Sequence, residues 1–91
     1  MSGPFETVRE ANETEAVQAI YRAFSADPGV GRMAPHSLRM LAEACAAARV
    51  DLGVFDRRVL AWLAGWEPET AVSIAGMIAR AYDAGRAAGD R

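Results

Sequence analysis

The chain is 91 residues long, carries a formal net charge of −2, and draws all ten of its basic residues from arginine, with no lysine. That length suits one domain, which would bury roughly 60–65% of the surface exposed by its unfolded chain. No run approaches the ~18 apolar residues of a membrane-spanning helix, the lone Cys45 forms no intrachain disulfide, and the acidic balance is not that of a general nucleic-acid binder, which leaves only a local basic patch for such a role.

Glu6, Glu10, Glu13 and Glu15 occupy a region that a secretion signal would make basic and then apolar, so the expected location is the cytoplasm. Arginine without lysine, beside abundant alanine and glycine, fits the codon bias of a GC-rich bacterial genome. Alanine and arginine favour helix, and most β-branched residues stand singly among helix formers. The expected fold is all-α: a compact four-helix bundle or orthogonal helical array, with a fifth helix if the N-terminus contributes a short one.

Residues 1–11 form either an arm or a short helix. Thr7 and Glu10 have capping-box spacing; as an arm, the segment would lay Phe5 and Val8 on the core. Residues 12–85 are expected to be the single helical domain. Asn12 and Glu15 set a capping box, and Val17, Ile20, Tyr21 and Phe24 follow at one helical face. Asp27-Pro28-Gly29 ends that helix as a turn. Gly29-Val30-Gly31-Arg32 lacks the preceding strand and the Lys-Ser/Thr of a phosphate loop, and reads as a connection.

The second helix is expected near Pro35, a residue suited to a first turn. Leu38, Leu41, Ala42, Cys45 and Ala48 make its stripe, while Met40, Ala44 and Ala47 make its other side apolar too. A third helix capped by Asp51 is expected to run to Trp66, with Leu52, Phe55, Val59, Trp62, Leu63 and Trp66 on one face. This is the strongest apolar stripe in the chain, and a core position is its first reading. Glu67-Pro68-Glu69-Thr70 breaks the chain and starts a fourth helix, its carboxylates complementing the helix dipole. Ala71, Ile74, Ala75, Ile78, Ala79 and Tyr82 form that helix's stripe, Val72 and Met77 fall outside it, and Gly76 suggests close approach of a neighbouring helix. Residues 86–91 are expected to fray.

His36 and Cys45 lie on opposite sides of a straight helix, roughly 13 Å apart, and cannot act as a nucleophile–base pair. No second His or Cys joins them, so neither a metal nor another cofactor is expected. Asp56 skirts the predicted core, where a carboxylate needs a partner; Arg39, Arg49 and Arg80 are candidates for a structural ion pair. Arg58, Trp62 and Trp66 follow at steps of four, which permits cation–π contact.

Asp56-Arg57-Arg58-Val59-Leu60 resembles the first-helix pattern of the helical chorismate mutases, whose anion site uses a lysine that this chain lacks. Arg58–Trp66 followed by Thr70, Ile74, Ala75 and Ile78 resembles the supporting part of a helix-turn-helix over about 25 residues. No turn follows Ile78 to start a recognition helix.

The leading expectation is a non-enzymatic module that makes protein–protein contacts, as a homodimer through Met40, Ala44 and Ala47 and with another protein through Arg57, Arg58, Trp62 and Trp66. The alternative is a small DNA-binding regulator using Arg57, Arg58, Arg80 and Arg86. A third is a helical enzyme with Asp56 or a glutamate in a cleft.

Overall fold

The computed structural model describes residues 3–26 and 33–89. Among them are five helices and no strand: α1 (Val8–Asn12), α2 (Glu15–Ala26), α3 (Met33–Ala47), α4 (Val54–Ala64) and α5 (Pro68–Gly89). The all-α expectation holds, with the short N-terminal helix present. The turn expected at Asp27-Pro28-Gly29 and the connection Gly29–Arg32 lie outside the described residues.

Local hydrogen bonds explain the helix starts. Thr7 caps α1 by accepting from the Glu10 N–H at 3.2 Å, as its spacing predicts. Thr14, not Asn12, caps α2: its Oγ1 accepts from the Val17 N–H at 3.3 Å and donates to the Ala11 carbonyl at 2.8 Å. Asn12 is instead the last residue of α1. Gly53, not Asp51, occupies the cap position of α4, and Asp56 there accepts from the Gly53 N–H at 2.9 Å. The Asp56 carboxylate is thus one half of a capping box on an exposed surface, and no arginine among the described residues pairs with it. The expected ion pair is corrected: Asp56 steps outside the core, where it needs no buried cation.

α3 ends in a Schellman turn, with Arg49 N–H bonded to the Ala46 carbonyl and Val50 N–H to the Cys45 carbonyl at 2.9 Å. The turn requires a left-handed residue, and Arg49 supplies it at φ 61°. α5 starts at Pro68, whose missing N–H costs nothing at a first helical position. It continues to Gly89 rather than stopping near Gly85, so the expected frayed tail is helical as far as it is described.

α5 is the hub. It touches each of the other four helices, and α3 most extensively. One core cluster lies between α3, α4 and α5, built from Leu41, Ala44, Cys45, Leu60, Ala64, Ala71 and Ala75. A second lies under α1 and α2, built from Ala11, Val17 and Val72, with Phe5, Tyr21 and Met40 packed on it. Val72, expected off the main stripe, is fully buried. Phe5 docks as the arm reading expects, whereas Val8 points to solvent. Alanine is the commonest residue in the core, which favours close helix approach, and the molecule is thin, 50 × 31 × 17 Å.

The Glu69 side chain is the exception in this apolar interior. It is only 8% exposed, and it accepts from Asn12 Nδ2 at 2.7 Å and from the Tyr21 hydroxyl at 2.8 Å. Burial alone would raise its pKa, but the hydrogen bonds from Asn12, Tyr21 and its own backbone N–H hold it below the ordinary glutamate value. Burial, the bond to Glu69 and the negative charges of Glu69 and Glu67 push the Tyr21 hydroxyl up to about 12.

Two outcomes follow. A depressed folded-state pKa means that the Glu69 contribution is present above the unfolded value and lost as pH falls through the folded one. In urea titrations Glu69→Gln should therefore be about 1.5–3 kcal/mol less stable than the parent at pH 7, with the gap closing in acid; a gap that is constant to pH 3 contradicts the clamp. Arg49→Gly removes the left-handed penalty and should raise stability by about 1 kcal/mol, read from the same titration.

Candidate interaction surface

α4 touches only α3 and α5 among the described helices. Its buried side is narrow: Leu60 and Ala64, with Leu52 and Leu63 partly covered. It packs on a cluster of Leu41, Ala44, Cys45, Ala71 and Ala75. Most of the strongest apolar stripe turns outward. Phe55 is 74% exposed, Trp62 63% and Trp66 53%, with Val54 and Val59 also exposed beside them. The core reading of this stripe is corrected: of its six residues, only Leu52 and Leu63 pack on the interior.

The two indoles meet edge to face, with ring centroids 5.8 Å apart and planes at 77°. Such a pair holds both rings in place in the absence of any covering side chain. Arg58 stands beside the seam and Arg57 lies about 140° round α4 from Trp62; both are exposed, and neither forms an ion pair among the described residues. The expected cation–π contact of Arg58 on Trp62 is not among the contacts of the described residues; the one present sets Arg86 over the Tyr82 ring at 5.8 Å. The structure thus places Arg58 and Trp62 on α4 with Trp66 in the turn just beyond it, adds Phe55 and Val59, and sets Arg57 on another side of the helix. Phe55 and Val59 stood in the predicted stripe, but the periodicity of a stripe does not say which way it faces.

The other candidate set separates. Ala44 is buried in the core, and it cannot present a surface for self-association. Met40 is half-buried and bridges both core clusters, while Ala47 is exposed. Met40, Ala44 and Ala47 line a groove of about 730 Å³ between α2, α3 and α5. The second apolar side of α3 is thereby a concave wall rather than a protruding face. His36, Arg39, Glu43 and Asp83 stand around this groove, with no hydrogen bond or ion pair joining them among the described residues. Cys45 sits in the core on another side of α3.

The helix-turn-helix resemblance ends where the sequence leaves it. α5 runs unbroken from Pro68 to Gly89 through Ile78, so no separate recognition helix follows. Glu69, expected to complement the dipole from the surface, is turned inward instead. No described helix is long and apolar enough to cross a membrane, and no group of three His, Cys, Asp or Glu among the described residues could hold a metal ion. Known protein families, curated proteins and solved structures contain no match to the chain.

An indole that covers no core should be cheap to remove. Trp62→Ala, measured by urea denaturation at high dilution, should cost less than about 1.5 kcal/mol, against the ~3–5 kcal/mol typical of a core tryptophan. A loss in the core range would mean that the ring supports the monomer.

Proposed function

We propose that this protein is a non-enzymatic helical module whose work is protein–protein contact through the outward face of α4. The observation that carries this reading is the exposure of Phe55, Val59 and Trp62 along one side of α4, with Trp66 exposed in the turn just beyond it. Soluble monomers seldom expose a contiguous apolar patch of this kind unless it meets another surface. Its composition matches the centre of protein interfaces, where Trp, Phe and Arg are enriched. The T-shaped indole pair adds rigidity, which lowers the entropy lost on binding. Leu60 and Ala64 hold the back of the helix against α3 and α5, so the face sits on a rigid element.

The other two readings draw less from the structure. The arginines available to phosphates are few and flank an aromatic ridge. The groove beside α3 offers a concavity without an assembled acid–base pair.

The test is photo-crosslinking in cells. A benzophenone side chain at position 59 should give a discrete protein adduct, and the same group at position 22, on the polar side of α2, should not. Absence of any adduct from position 59, or equal labelling from both positions, overturns the reading.

A further inference from the structure

We propose that the occupant of the α4 face is a second copy of the same chain, packed antiparallel across a two-fold axis; this rests on the reading of α4 as the contact surface. Phe55, Val59 and Trp62 are spaced by four and three residues along α4, the alternation that lets two helices pack side by side, and Trp66 in the turn beyond α4 is held on the same seam by its contact with Trp62. With the axis beside the Leu60–Ala61 peptide, Val59 of one copy lies opposite Trp62 of the second, and Phe55 faces the turn that carries Trp66. Every seam residue then meets the seam of the other copy, and a two-fold contact of this kind closes on itself without leaving an edge for further growth.

The amount of surface fits. The exposed parts of Phe55, Val59, Trp62 and Trp66 amount to roughly 500 Å² per copy. Two copies would cover about 1,000 Å², the threshold of specific interfaces.

Charge selects the orientation. Arg57 and Arg58 stand in the first half of α4, and Glu67 stands just beyond its end, all exposed and without an ion pair among the described residues. A parallel pairing would set arginine on arginine and Glu67 on Glu67. The antiparallel pairing brings Glu67 of one copy to within about one helical turn of Arg58 of the other, so opposite charges close both ends of the seam.

The test is light scattering coupled to size exclusion over a concentration series, with circular dichroism to confirm that each variant keeps its helices. The parent should move from 9.7 kDa toward twice that mass as concentration rises. Val59→Glu should raise the dimer dissociation constant on the order of a hundredfold by placing a charge in the seam. Arg58→Glu and Glu67→Arg should each weaken the dimer roughly tenfold, and the double variant should recover it. A parent that stays monomeric at millimolar concentration overturns the proposal, as does a dimer indifferent to Val59→Glu. If position 59 crosslinks in cells to a different protein while the purified chain stays monomeric, the contact-face reading stands and the two-copy pairing falls.

Discussion

The buried carboxylate of Glu69 is the constraint on which the rest of the arrangement depends. A charge cannot be left in an alanine-lined interior without donors, and the donors here come from two other helices, Asn12 of α1 and Tyr21 of α2. One side chain in the first turn of α5 therefore fixes where α1 and α2 lie. Gln18 Nε2 extends the network by donating to the Asn12 carbonyl at 2.7 Å, which ties the α1–α2 corner to itself.

Alanine in the core does the complementary work. Ala44, Ala64, Ala71 and Ala75 let α3, α4 and α5 come close. The buried arc of α4 is served by Leu60 and Ala64, with Leu63 partly covered beside them. A protein that placed Trp62 and Trp66 inward would need a wider gap and a larger opposing cavity, which Gly76 on α5 does not create by itself. The buried Ser37 hydroxyl, which has no hydrogen-bond partner, shows the same economy of space: α3 lies close enough to its neighbours to strand a polar atom.

Much of the fold is legible in the sequence because it is local. The Thr7–Glu10 spacing, the stripe of Val17, Ile20 and Tyr21, and Pro68 at a helix start all report interactions within one or two turns. The failures are interactions across the chain. Asn12 and Glu15 have capping spacing, yet Thr14 caps α2 and frees Asn12 for a carboxylate 57 positions away. Glu69 has the appearance of a dipole complement, and nothing near it in sequence announces that Tyr21 will bury it. For the candidate site, the residues Arg57, Arg58, Trp62 and Trp66 can be picked out by type and spacing. Their direction cannot, because both an outward and an inward face of α4 satisfy the same periodicity. Only the packing of α4 against α3 and α5 decides between them.

That decision has a further consequence for how the molecule relates stability to contact. The aromatic residues that a larger domain would use to stabilise itself are here withheld from the interior. The monomer rests on small side chains, one buried carboxylate network and well-capped helices, which together give a thin and modest core. An apolar face that is not needed for folding can be optimised for its occupant without unfolding the chain, and Trp62 and Trp66 already brace each other before any occupant arrives. The separation is physical: α4 has a side that holds it in place, built from Leu60 and Ala64, and a side that is available, built from Phe55, Val59 and the two indoles. Mutations on the first side would act on the fold, and mutations on the second would act on whatever meets it.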